Sequence, residues 1–371
     1  MAKAFGIISS SDNSIYVRGL NDYRPIGAIS FLGRFRVIDF PISNMSNSGM
    51  NRIQVYVTSR PRSIAEHIGT GRHYNINSKR GKIQLLFSQD QSDRSIYNND
   101  INAYVENLDY IQRMHEEYVI IAPSYMVYKQ DYKQLLDEHI ASGAEVTLMY
   151  HKIDNAREYF KNCRTLSVNK QKGVQSIDKN LGTANNKNIF MDTYCMKKDT
   201  FVELVKDASW MSSMYTLADI INLMCKQMDV RAYQHRGYFA TITTLEDYYR
   251  ASIELLDYNI ASNLFRQEWP IYTRTTDSCP TQYYDSAKVT NSFVSNACTI
   301  QGSVENSIIG RSVVVKKGAV VKNSIIMAYA VIEEGVHIEN AIVDKWAHII
   351  HAKNIHGDAN SPQYIKRNDT L

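Results

Sequence analysis

Three loops decide whether this chain can handle phosphate chemistry. The first follows the apolar run Ala4–Ile8 and reads Ser9-Ser-Ser-Asp-Asn-Ser14. A phosphate cradle needs glycines so that backbone N–H groups can approach the anion. No glycine stands between Gly6 and Gly19. The second loop follows the strand-like stretch Ile53–Thr58. The third follows Tyr118–Ala122 and opens Pro123-Ser-Tyr-Met-Val, without a carboxylate. Magnesium-assisted phosphoryl or nucleotidyl transfer needs carboxylates at strand ends to hold the ion. The tail offers other candidates: His348, His351 and His356 are either metal ligands or solvated and packed imidazoles.

The elements that must position these loops alternate along the first 260 residues. Ala4–Ile8, Ile53–Thr58, Tyr118–Ala122 and Val146–Tyr150 read as strands, β-branched or continuously apolar. Between the last two, Asp131 can cap a helix that buries Leu135, Leu136 and Ile140 and ends at Gly143. A second amphipathic helix runs from about Leu217 to Met228, capped by Thr216, with Ile220, Ile221 and Met224 inward. Such alternation predicts an α/β domain with a mostly parallel sheet covered on both faces. Its ligands belong beyond the carboxyl ends of the strands, where the three loops lie.

Beyond that domain the sequence repeats. Val304-Glu-Asn-Ser-Ile-Ile, Val321-Lys-Asn-Ser-Ile-Ile and Ile338-Glu-Asn-Ala-Ile-Val recur at intervals of 17, and Val289-Thr-Asn-Ser-Phe-Val precedes them by 15. Aliphatic residues return about every six positions, as at Val315, Val321 and Ile326. Three six-residue units make one turn of a triangular parallel β-helix whose inward residues stack into a column. Gly310, Gly318 and Gly335 are expected at tight turns. The expected division is an α/β domain over 1–260, a linker over 261–288 and the coil over 289–371.

Composition narrows the classes. The 371 residues hold 42 Lys+Arg against 38 Asp+Glu, a net charge of +4, too even for a nucleic-acid binder. There is no apolar stretch long enough to span a membrane and no signal-peptide core, so no membrane partner is expected. Five scattered cysteines without C-x-x-C read as reduced thiols in a cytoplasmic protein.

One segment is specific enough to carry a resemblance. Arg24-Pro-Ile, Phe31-Leu-Gly-Arg-Phe-Arg-Val-Ile-Asp-Phe-Pro-Ile-Ser-Asn-Met-Ser-Asn-Ser-Gly49, Glu66-His-Ile, Tyr74–Gly81, Asn107-Leu-Asp, Tyr128–Tyr132, Thr244–Tyr249 and Trp269–Thr273 occur in order. With the repeat tail they resemble the bacterial glucose-1-phosphate adenylyltransferases (ADP-glucose pyrophosphorylases) of glycogen synthesis. The resemblance covers essentially the whole chain. It implies a Rossmann-like, GT-A-like nucleotidyltransferase domain followed by a left-handed parallel β-helix.

The departures from that family fall on its chemistry. Its glycine-rich G-G-x-G-T-R-L loop is replaced by Ser9–Ile15, leaving Ser9, Ser10 and Ser11 as a remnant. The resemblance places Tyr125 where active members carry the metal-binding aspartate of G-D-H-I-Y-K. It places Thr241 where Y-W-R-D-V-G-T-L supplies the second. The G-T-A-D-A segment appears as Asn99–Ala103. The E-K-P of the sugar-phosphate pocket appears as Asp178-Lys-Asn180, so Asp178 and Lys179 are a remnant pocket. Met191-Asp-Thr-Tyr stands for M-G-I-Y, as in the family's non-catalytic D-type subunit. Neutral oxygens cannot replace two carboxylates, so no catalytic residue, no metal site and no cofactor are expected here, with Mg2+ only at a catalytic partner.

The resemblance therefore implies a regulatory, catalytically silent or strongly impaired subunit beside a catalytic ADP-glucose pyrophosphorylase subunit, in a heterotetramer or alone as a homo-oligomer. The alternatives are a weakly active transferase using Asp12, Asp131 or Asp247 as substitute carboxylates, and a hexapeptide-repeat acyltransferase. The bland readings of those aspartates are a loop charge, a helix cap and an exposed helix residue. For a phosphorylated metabolite effector the candidates are Arg34, Arg36 and Arg52, which either bind anions or make structural ion pairs. The basic run Arg60, Arg62, Arg72, Lys79, Arg80 and Lys82 either borders the nucleotide pocket or is a solvated loop.

Overall fold

The computed structural model describes residues 3–9, 15–57, 60–77, 79, 81–87, 99–212 and 214–371. Ser10, Ser11, Asp12 and Arg80 lie outside them. Two compact units emerge. The first takes in Met1–Ile15, Phe40–Phe239 and Trp269–Tyr272; the second takes in Tyr16–Asp39, Ala240–Glu268 and Thr273–Leu371. Segments 16–39 and 240–268 thus group with the coil.

The first unit is built on a sheet of nine strands. They are β1 (Ala4–Ser9), β2 (Arg52–Val57), β3 (Lys82–Phe87), β4 (Tyr118–Pro123), β5 (Val146–Ile153), β6 (Arg164–Val168), β7 (Val174–Lys179), β8 (Lys187–Lys197) and β9 (Val230–His235). The order is β7-β6-β8-β4-β1-β2-β3, with β5 also on β8 and β9 on β5. β8 and β7 run against the other seven, so the sheet is mostly parallel. β1 and β4 are buried along almost their whole length, the continuous apolar pattern of strands covered on both faces.

The helix Tyr132–Ser142 starts at Asp131, whose carboxylate accepts from the Lys133 N–H, and ends at Gly143 with φ 68°. Its inward face differs from expectation: Ile140 is 40% exposed, and His139 is buried with Nδ1 2.8 Å from Thr147 Oγ1. A polar residue can face inward here because β5 supplies its partner. The helix Leu217–Met224 is shorter than predicted, ending at Cys225, and carries the full capping box between Thr216 and Asp219.

In the second unit three parallel five-stranded sheets form the sides of the coil, the arrangement of a left-handed β-helix. Val304, Val321, Ile338 and Ile355 are register partners, so the interval of 17 is one rung. Val315, Val321 and Ile326 fall on three different sheets and are all buried. The repeated Asn-Ser has a structural role. Asn291, Asn306, Asn323 and Asn340 take φ of 42–49°, turning the corner in the left-handed region that Asn tolerates. Ser307 Oγ donates to the Glu305 carbonyl and accepts from the Ser324 N–H, and Ser324 Oγ repeats this toward Lys322 and Ala341. Gly318 and Gly335 have φ of 74° and 69°, as a turn requires. Gly310 does not: a Cβ there would lie 2.6 Å from the Ala328 nitrogen, so close backbone approach is what demands glycine.

Segments 16–39 and 240–268 are tied to the coil by buried polar contacts. Arg24 Nη2 reaches both oxygens of Asp344 at 2.5–2.6 Å, with both side chains buried. Tyr248 donates to the Ser30 carbonyl, and Tyr249 to that of Asn323.

Candidate functional site

The carboxyl ends of β1 and β4 meet in register at Ser9 and Pro123. A cleft opens there in the first unit, lined by Ser9, Asp100, Tyr104, Tyr125, Arg164 and Asp192, with Tyr194 and Thr216. The Tyr125 hydroxyl donates to Asp192 Oδ2. Arg164, opening β6, places Nη1 3.2 and 3.3 Å from the two Asp192 oxygens. Its Nη2 reaches Thr216 Oγ1 at 3.5 Å.

Asp192 is held there by a fault in the strand. β8 slips register against β5 between Phe190 and Thr193, and Asp192 takes φ 42°. That left-handed conformation suits glycine, the residue the resemblance puts at this position, and Asp is among the few others that adopt it. The exchange of glycine for Asp192 therefore adds a carboxylate to the cleft at a backbone conformation that glycine also favours.

The cleft's second carboxylate is also committed. Asp100 Oδ1 accepts from the Ile101 N–H, and both its oxygens lie 3.2 Å from the Leu217 N–H at the start of the Leu217–Met224 helix. A carboxylate at a helix N-terminus meets the positive end of the dipole. Burial, then Asp192, pushes the Tyr194 phenol well above its ordinary range; burial, then Asp100, does the same to Tyr104. Both stay neutral at physiological pH.

Among the described residues this donor set does not suit a divalent cation. Asp192 already takes a guanidinium and a hydroxyl, and Asp100 takes backbone N–H groups. Oxygen ligands for Mg2+ must be anionic or carbonyl-like and available. Among the described residues no group of three or more His, Cys, Asp or Glu is placed to hold a metal.

Among the described residues, the other predicted ones do not line this cleft. Thr241 is buried in the second unit. Asp178 and Lys179 are exposed at the end of β7, Asp178 Oδ2 accepting from Ser176, and neither lines the cleft. Asn180 is buried and donates to the Ala156, Tyr159 and Phe160 carbonyls, a loop staple. Asn99 caps the helix Asp100–Glu106. Asp247, expected on an exposed helix surface, is buried and accepts from Thr243 Oγ1 and Arg250. Its position three residues into the helix turns it toward Thr243 just before the cap, and Arg250 reaches it from one turn further along. His348 and His356 lie on different sheets of the coil and pair with Glu333 and Glu339.

The effector candidates separate. Arg52 is in the first unit, 3.6 Å from Glu116. Arg34 and Arg36 are in the second, where further cations gather around them. Burial, then Arg36 and Arg24, push the Lys345 ammonium down to about 7. Burial, then Arg34, lower the Arg311 guanidinium. Neither Lys345 nor Arg311 carries a sequence signal of its own, since the coil brings them to Arg34 and Arg36 from nearly 300 residues away. Asp192 did leave a signal, the missing glycine of M-G-I-Y. Its partner Arg164 left none.

Residues 19–258 match the family model described as nucleotidyl transferase, and residues 279–364 match the GlmU-like C-terminal hexapeptide model. The glycogen biosynthesis protein GlgD of Bacillus subtilis (strain 168) is 30% identical over 98% of this chain and 95% of its own length. The GlgD protein of Geobacillus stearothermophilus is 29% identical over 86% of this chain and 83% of its own. A glucose-1-phosphate adenylyltransferase of Lachnospira eligens is 30% identical over 78% of this chain and 69% of its own.

Proposed function

The chain belongs to the glucose-1-phosphate adenylyltransferase and GlgD family of glycogen biosynthesis, and from that premise we propose that it is a regulatory subunit without useful catalytic activity. It acts in the cytoplasm on a catalytic homologue, in a heterotetramer, and alters that partner's synthesis of ADP-glucose and pyrophosphate from ATP and glucose 1-phosphate. A phosphorylated effector is read at the cations around Arg34 and Arg36. Mg2+ serves the catalytic partner only.

One observation carries this reading: Asp192 is held by Tyr125 and Arg164 inside the cleft. The guanidinium supplies the positive charge that a metal would bring, and it is covalently part of the chain. A cation entering the cleft must displace it and leave its charge partly buried. ATP phosphates would meet Asp192 and Asp100 with one internal cation already engaged. Each lost stabilising group in such a site lowers rate by roughly 10²–10³.

The test is ADP-glucose synthesis by the purified chain with ATP, glucose 1-phosphate and Mg2+. Turnover near background is expected. Adding a catalytic homologue is expected to give a rate or substrate affinity different from that of the homologue alone. Strong turnover by the chain alone overturns the proposal.

A further inference from the structure

The first unit has a second cleft, at the opposite end of its sheet. It lies at the amino ends of β2 and β3, where Arg52 is the register partner of Lys82 and Gln54 that of Gln84. Side-chain alternation puts all four on one face. With Lys79 and Arg113 they line a cleft of about 480 Å³, a volume typical of small-molecule sites. Gly81 shapes its rim. A Cβ there would fall 1.9 Å from the Asn51 carbonyl oxygen, so only glycine lets the backbone that carries Lys79 and Lys82 run this close to Asn51.

Two features of the cleft do not serve the fold. Arg52 and Lys82 are like charges on adjacent strands, an arrangement that destabilises a sheet. The carboxylates nearby are too few: Glu116 is 3.6 Å from Arg52, Asp109 is 3.4 Å from Arg113, and Lys79 and Lys82 have no ion pair among the described residues. Among the described residues four cations thus face two acids. The second feature is Gln54, which is 2% exposed. Its carbonyl accepts from the Tyr56 hydroxyl, but its amide nitrogen has no hydrogen-bond partner among the described residues. A buried amide donor without a partner is costly and calls for an acceptor.

We propose that this amino-end cleft is a second ligand site, for a small phosphomonoester that also carries hydroxyl groups, such as a phosphorylated sugar or polyol. The phosphate sits among Arg52, Lys79 and Lys82, the one place where their excess charge is neutralised. A ligand hydroxyl accepts from the Gln54 amide, whose nitrogen is covered in the ligand-free chain and must turn into the cleft to meet it, with Gln84 beside it. The site does not rest on the regulatory reading, because the cleft of Tyr125 and Asp192 lies at the other end of the strands.

Isothermal titration of the full chain with sorbitol 6-phosphate, sorbitol and inorganic phosphate tests it. Sorbitol 6-phosphate is expected to bind and sorbitol is not. Lys79→Gln combined with Lys82→Gln, both at exposed positions, is expected to weaken sorbitol 6-phosphate binding about tenfold or more, the worth of lost charge-assisted hydrogen bonds. Gln54→Leu is expected to weaken sorbitol 6-phosphate binding but leave inorganic phosphate unchanged. Arg36→Gln, a control for the cations of the second unit, is expected to leave the affinity for sorbitol 6-phosphate intact. Undiminished affinity in the double lysine variant, loss of binding in Arg36→Gln, or no binding of either phosphate compound overturns the proposal. Each of these readouts is independent of whether the chain synthesises ADP-glucose.

Discussion

Replacing Tyr125 by aspartate is the most direct way to ask whether charge balance keeps the cleft silent. In the native chain one guanidinium, 3.2–3.3 Å away, and one hydroxyl meet the Asp192 charge. Tyr125→Asp removes the hydroxyl, and a hydrogen bond to a charged group contributes about 1.5–3 kcal/mol. It also sets a second carboxylate facing the first; at about 6 Å and an effective dielectric near 20 the repulsion is about 3 kcal/mol. Sharing Arg164 between the two acids offsets part of this, so we expect a net loss of roughly 3–5 kcal/mol at pH 7.5. The sign with pH follows. Repulsion raises the folded-state pKa of the carboxyl pair above its unfolded value, so stability returns as pH falls through that raised value. Urea unfolding at pH 7.5 and at pH 5 measures both effects. Mg2+ should stabilise Tyr125→Asp little while Arg164 competes for the same charge. Combining it with Arg164→Met should create a responsive site, gaining about 2.7 kcal/mol when Mg2+ is at a hundred times its dissociation constant. The reasoning is refuted if Tyr125→Asp is as stable as the native chain at pH 7.5, or if that substitution alone restores Mg2+-dependent ADP-glucose synthesis.

Two further outcomes follow from the second unit. Arg24→Met should destabilise it by about 3–5 kcal/mol in urea unfolding, because it leaves Asp344 buried with only neutral partners. Lys345, held at about 7, gains a proton when an anion binds beside it, so affinity for sulfate should rise as pH falls from the ordinary lysine range toward 7 and level off below it; Lys345→Met should flatten that slope in titration calorimetry.

The coil was nearly complete in the sequence because its physics is local and periodic. An inward aliphatic every six residues and an Asn corner every 15 to 17 specify the rung, and Val304, Val321, Ile338 and Ile355 stack as the spacing predicts. Gly310 misled because a glycine can mark either positive φ or close approach, and only the neighbouring rung distinguishes them. In the α/β unit the helix caps at Asp131 and Thr216 were readable, since a cap is written within four residues. The inward turn of His139 and the burial of Asp247 were not, because each depends on a partner that amphipathic periodicity does not represent: Thr147 on the adjoining strand, and the Thr243–Arg250 donors.

The cleft shows the same limit in its sharpest form. Tyr125 was found by counting along a motif, and that count records only what is missing. What replaced the missing function is a three-residue contact among 125, 164 and 192, brought together by the turn after β4, the start of β6 and the register fault inside β8. Its consequence is electrostatic: the cleft's carboxylates are matched internally, by Arg164 and Tyr125 for Asp192 and by backbone N–H groups for Asp100. In the second unit burial and the neighbouring Arg36 and Arg24 drive the Lys345 ammonium down to about 7, although Arg24 is itself paired with Asp344. A site whose charges are already matched gains little from a charged ligand. A lysine held low by burial and neighbouring cations gains a proton when an anion binds beside it, so sulfate is expected to bind at Lys345 more readily than at the cleft of Tyr125 and Asp192.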